Sequence, residues 1–172
     1  QEGLNPLGDK RSAASAFGIP AGEAIGYYTQ TIGKLLKIPA LVPSLSTNSD
    51  ISRLSSSYAN LLLAKERAGI ERATLANVFG AGKFTAEMLQ RYIANTSAQE
   101  VYTNQFLTIA TESQIAFYGS KLAGPAVEEV ARLKKLALDN AAEPALNVDA
   151  TLWFKVATER INLLKEVEDR LS

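Results

Sequence analysis

Three arginines, Arg72, Arg91 and Arg160, are the residues whose type and spacing give this sequence a chemistry. Wound at about 100° per residue, each falls inside an apolar stripe where a leucine would be expected. Around Arg72 the stripe is Leu54, Tyr58, Leu61, Ala68, Ala76 and Phe79, with Lys65 close to it. Around Arg91 it is Phe84, Met88, Ala98, Tyr102, Phe106 and Ile109, and Asn95 lies within it. Around Arg160 it is Trp153, Ala157, Leu164, Val167 and Leu171. Burying a guanidinium costs several kcal/mol unless a partner compensates it. No carboxylate takes a stripe centre. Glu87 and Glu112 come closest, while Glu71 and Glu159 precede their arginines and point about 100° away. The surplus of inward cations calls for an external anion, and the planar fork of a guanidinium suits a planar, multi-oxygen anion such as carboxylate or nitrate. Arg72 also has small neighbours, Ala64, Ala68, Ala73 and Ala76, together with Gly69. A mid-helix glycine costs about 1 kcal/mol relative to alanine, so Gly69 signals close helix approach or room for a ligand. The competing account puts such arginines at the rim of a bundle, with methylenes buried and a flanking glutamate as partner. That account is preferred for Lys65 and competes at Arg91 and Arg160. At Arg72 the ligand reading is preferred, and Arg132, Lys134, Lys135 and Arg67 are expected on solvated faces.

The elements that must position these arginines are helical. Residues 1–20 are rich in Gly, Pro and Ser, show no period and suit a linker or docking arm. A helix is expected from about Ala21 to Ile38, ended or kinked by Pro39 and Pro43. A second should run from about Ile51 to Phe79, capped near Ser49 or Asp50 and stopped by Gly80 and Gly82. A third should run from about Phe84 to Ala110. Thr111 and Gln114 have capping-box spacing, which starts a new turn over Ile115 to Tyr118. Pro125 suits the first position of a fourth helix, with Glu128 and Glu129 against its dipole, ending near Asn140 and Pro144. Asp149 caps a fifth, carrying Trp153 through Leu171. Strand alternation is absent, so the expected fold is all-α: an up-and-down antiparallel helical bundle of four to five helices over residues 21–172.

Composition removes other chemistries. The 172 residues contain no His and no Cys, which leaves no thiolate, no Ser-His pair and no ordinary zinc, haem or iron–sulfur site. No catalytic residues, no metal and no cofactor are expected. Eighteen Lys and Arg balance 18 Asp and Glu, which argues against nucleic acid as a bulk electrostatic partner. Hydrophobic residues make up 47% of the chain, enough to fill a core. No apolar run approaches the roughly 18 residues of a membrane span. The chain opens on Gln1 and its one methionine is Met88, from which an upstream segment is expected.

The segment AKERAGIERA at 64–73 is similar to the K-E-x-A-G-x-E-R-A element of the NIT domain, the nitrate- and nitrite-sensing module of bacterial receptors and regulators. Phe79, Gly82 and Phe84 resemble its F-x-x-G-x-F turn, and Arg91 with Gln99 resembles its R-F…Q stretch. GPAVEEV at 124–130 resembles its G-P-A-x-x-E-V, and GYYTQTI near Tyr28 resembles its Y-T-x-x-I. The run NVDATLWFKVATERINLLKEVEDRL resembles its D-A-x-x-W-F-x-x-x-T-x-R-I-x-x-L-x-x-V-E-x-x-L ending. The resemblance covers residues 24–171 and corresponds to the second half of the family's helical domain. It implies an all-helical sensor for nitrate or nitrite held by arginines, with Arg72 as the position carried over and output to an attached signalling domain.

The leading expectation is therefore the non-enzymatic ligand-sensing domain of a bacterial signalling receptor, a chemoreceptor or sensor enzyme. It would bind nitrate or nitrite through Arg72, Arg160 and Arg91. A homodimer on the periplasmic side of the inner membrane is expected, with the last helix running on into a membrane helix. The alternative is a structural dimerisation bundle whose arginines pair with Glu71, Glu159 or a partner chain's carboxylates.

Overall fold

The computed structural model describes residues 6–143 and 145–172. Within them lie eight helices: α1 (Leu7–Ser15), α2 (Ala21–Leu35), α3 (Lys37–Leu45), α4 (Ser49–Ala81), α5 (Ala86–Ile109), α6 (Glu112–Lys121), α7 (Pro125–Asp139) and α8 (Ala150–Leu171). No strand occurs among the described residues, and the fold is an all-α helical bundle as expected, although eight helices form within them and not four to five, because α1, α3 and α6 are separate helices. Helix α4 is its axis, packing on α5, α8 and α3, while α7 and α6 close the far side of α8. Helices α2 and α3 lie along the outer side of α4.

Local chemistry explains the boundaries. The Asn48 side chain accepts from the amides of Asp50 and Ile51, so the α4 cap sits one residue before the expected one. Gly82, at φ 73°, closes α4 in the left-handed conformation that glycine adopts without strain. Thr111 and Gln114 make a full capping box, and the helix it starts runs on to Lys121. Pro125 opens α7, and the Asp149 carboxylate caps α8 by accepting from the Thr151 amide. Residues 1–20 show no period, yet Leu7–Ser15 forms α1, tied to α2 by a 2.7 Å ion pair between Lys10 and Glu23. The break expected at Pro39 falls instead at Leu36. Pro39 then occupies the first turn of α3, where its missing N–H costs no bond. Pro144, expected to help end the fourth helix, and residues 1–5 lie outside the described residues.

The packing seam departs from the expected stripes in a systematic way. Helix α4 buries Ser57, Leu61, Ala64, Ala68, Glu71, Leu75 and Val78, at alternating steps of four and three. That is the seven-residue repeat of helices packed along their length, and an ideal 3.6-residue wheel drifts about 20° per heptad against it. Leu61, Ala68 and Leu75 hold the repeat, which gives Glu71 the seam position and puts Arg72 on its flank. Helix α5 behaves alike, burying Tyr92, Asn95, Gln99 and Phe106, with Arg91 one position out of line.

Two apolar clusters fill the interior. One gathers Leu75, Val78, Tyr92, Leu133 and Val156 around Trp153, which stands edge-on to Phe79. The other gathers Leu61, Ala68, Phe106, Leu164 and Val167. Between them, at one level of the bundle, α4, α5 and α8 contribute Glu71, Asn95, Gln99 and Arg160. The core is thus divided by a polar layer.

Candidate functional site

Arg72 projects from the flank of α4 towards α8 and remains half-buried. Its Nη1 donates to Thr158 Oγ1 at 2.8 Å. The Thr158 hydroxyl donates its own proton to the Phe154 carbonyl at 2.7 Å, so a lone pair is what faces the guanidinium. The Phe154 ring covers one face of that group, with its centroid 4.6 Å from the guanidinium carbon. One residue before Phe154, Trp153 Nε1 donates to the Arg72 carbonyl at 2.8 Å and pins the backbone beneath. Arg72 Nε is buried and has no acceptor. No carboxylate among the described residues pairs with Arg72, and burial pulls its pKa downward.

Beside it opens a cleft of about 680 Å³ between α2–α3 and α4–α8. Ile25, Tyr28, Ile32 and Leu36 form one wall, and Gly69, Ile70 and Ile161 belong to the other. A Cβ on Gly69 would meet nothing within 4 Å, so this glycine borders open room and not a close helix contact. Lys65 also lines the cleft but is neutralised by Glu168 of α8, the pairing expected of a rim lysine. Glu66 lines the cleft as well, its carboxyl pushed above the usual carboxylate range by burial, and Arg72 is the one lining cation without a paired carboxylate among the described residues.

The other two expected site residues are placed differently. Arg160 lies on the α8 seam as expected, but its Nη1 is 3.1 Å from Glu71 Oε2. Glu71 itself is 1% exposed, and Lys134 of α7 sits 2.6 Å from its second oxygen. The expectation that Glu71 points away from the interior is therefore corrected: the seven-residue repeat turns it inward, and it is the internal countercharge. Lys134, expected on a solvated face, is the second cation drawn to that carboxylate. Asn95 Nδ2 completes part of the layer by donating to the Arg67 carbonyl at 2.9 Å. Burial pushes the Tyr92 phenol up, reinforced by the nearby Glu71 charge.

Arg91 is not an interior group. Its side chain is 75% exposed and pairs with Glu87 one turn away at 2.6 Å. The seam position belongs to Tyr92, and Arg91 is carried outward by one residue's rotation. An exposed pair of this kind contributes little. Arg91→Ala is expected to change unfolding free energy by no more than about 0.5 kcal/mol in urea denaturation and to leave anion binding untouched.

Thr158 and Phe154, both in the W-F-x-x-x-T-x-R run, join the site without any spacing signal of their own. Their partners lie 86 and 82 positions away in α4, beyond the reach of any local pattern. The two motifs are one assembly. Trp153, Phe154 and Thr158 hold Arg72, and Arg160 holds Glu71.

Comparison with known proteins agrees with this architecture. The chain superposes on a solved structure described as "Structure of the NasR transcription antiterminator" with a TM-score of 0.84 and 27% sequence identity, covering 98% of this chain and 46% of that one. It is 29% identical over 154 residues to the nitrate regulatory protein of Klebsiella oxytoca, covering 89% of this chain and 38% of that protein. The family model NIT, nitrate and nitrite sensing, matches residues 1–172. The chain belongs to this family of nitrate- and nitrite-sensing domains. The match includes the first 23 residues, which carry none of the recognisable motifs. The chain spans less than half the length of both relatives, whose names are those of regulators. Among the described residues no helix is long and apolar enough to cross a membrane.

Proposed function

We propose that this domain senses nitrate or nitrite by binding the anion at Arg72, in the cleft between α2–α3 and α4–α8, and reports occupancy through α8 to an attached signalling domain. One observation carries the reading: Arg72 is a half-buried guanidinium with no protein countercharge and an unpartnered Nε. With Nη1 committed to Thr158, Nε and Nη2 form the guanidinium edge on which a buried donor still lacks an acceptor. Two parallel N–H donors on one edge are matched by two oxygens of a planar oxyanion. Bound anion would neutralise the site and give the buried donor its acceptor.

A structural role is favoured for Arg160, because Glu71 already neutralises it; in this it follows the alternative reading of the bundle. Ligand chemistry then concentrates on Arg72, with Arg160 holding α8 against α4. Because Arg72 and Glu71 are adjacent and both engage α8, a shift of the guanidinium is felt directly by that helix.

Thermal unfolding in matched sodium nitrate and sodium chloride tests the assignment. At a hundredfold excess over Kd, a ligand specific for the folded state stabilises by about 2.7 kcal/mol. For a domain of this size that raises Tm by roughly 5–10 °C. Arg72→Ala is expected to remove the increment. An equal rise in chloride, or an undiminished rise in Arg72→Ala, would refute the assignment.

A further inference from the structure

Resting on the placement of the anion at Arg72, we infer that Thr158 is the positioning residue that sets selectivity for planar oxyanions over halide. An arginine in an open cleft has several staggered side-chain torsions and can offer any of its donor edges. Here three contacts remove that freedom. The Thr158 proton is committed to the Phe154 carbonyl, which turns a hydroxyl lone pair to Arg72 Nη1. The Phe154 ring closes one face of the guanidinium. Trp153 fixes the backbone from which the side chain departs. The edge of Nε with Nη2 is left with a buried Nε–H that has no protein acceptor, in a guanidinium held by these contacts before the ligand arrives. An anion with two acceptor atoms in a plane uses both donors of that edge at once. A halide has a single spherical centre and gains less from a fixed fork. Thr158 touches the arginine and not the anion, so its effect is on selectivity more than on electrostatic attraction.

Calorimetric titration of nitrate and of chloride into the wild-type chain, Thr158→Val and Thr158→Ser tests this. Thr158→Val keeps the shape and removes the acceptor. It is expected to weaken nitrate about tenfold, the effect of losing one hydrogen bond to a charged group, while chloride binding changes less than twofold. The nitrate-to-chloride ratio then falls, and Thr158→Ser restores it to within about threefold of wild type. Thr158→Ala, which also lacks the acceptor, gives the same loss if the valine variant does not fold. A wild-type ratio in both Thr158→Val and Thr158→Ala overturns the inference, while loss of nitrate binding in Arg72→Ala alone leaves the assignment of Arg72 intact. No nitrate binding by the wild-type chain overturns both.

Discussion

Glu71→Ala is expected to lower the unfolding free energy by about 3–5 kcal/mol, the cost of leaving buried cations without their partner. Glu71 is 1% exposed and stands between Arg160 on α8 and Lys134 on α7. Removing it strands two positive groups whose side chains are only about one-fifth exposed. Alanine also leaves a void in the seam, which adds to the loss. The replaced carboxylate joins three helices, so the damage is expected to spread along α7 and α8. Equilibrium urea denaturation followed by far-UV circular dichroism measures it. Replacing the whole triad by Leu and Met of similar volume should recover most of the loss, because a packed apolar layer commonly equals or exceeds a buried ionic one. A Glu71→Ala loss below about 1 kcal/mol would mean that Arg160 and Lys134 reach water easily, and that the polar layer is a surface feature.

Trp153→Ala is expected to cost about 3–5 kcal/mol as well, for a different reason. The indole is fully buried, packs edge-on against Phe79 with centroids 5.8 Å apart, and anchors the larger apolar cluster. Trp153→Phe retains much of the apolar volume and should cost less than half as much. What it cannot retain is the Nε1 donor to the Arg72 carbonyl. The two variants thus separate packing from positioning. Both lower stability in urea denaturation, but Trp153→Phe should weaken nitrate binding out of proportion to its small effect on folding. If Trp153→Phe binds nitrate as the wild type does, the backbone hydrogen bond does not position Arg72.

Helix ends were legible at several of the side chains that cap or open their own helix, though not at Asn48 or at Thr85, which caps α5. Thr111 with Gln114, Asp149 and Pro125 act within four residues of themselves, so spacing alone reveals them. Asn48 was missed by a single position because serines and an aspartate beside it are equally good caps. Helix α1 was not legible: Leu7–Ser15 has no apolar face to betray it and is held by contacts with α2. The arginine stripes show how far periodicity carries and where it stops. Arg160 lies on its predicted face, since the apolar positions around it agree under either period. Arg72 lies off the seam because an ideal wheel and the seven-residue repeat of packed helices diverge over a long helix, whereas Arg91, in the second turn of α5, lies off it because its neighbour Tyr92 takes the buried position. That divergence hid Glu71, the one acid that the interior needed. The uncompensated cation survived the correction at Arg72 and was lost at Arg160. Thr158 and Phe154 were visible as letters of a recurring motif, but their purpose is a contact between α4 and α8 that only packing creates.

Nitrate binding at Arg72 is most directly observed at the Nε–H groups of the arginines by ¹H–¹⁵N correlation during a nitrate titration. The Arg72 Nε–H resonance is expected to move saturably as its buried, unpartnered donor acquires an oxygen acceptor. Arg91, paired with Glu87 in solvent, and Arg160, held by Glu71, should stay in place. A titration in which Arg72 Nε–H does not move while nitrate binds, or in which Arg160 moves in its stead, would contradict binding at Arg72.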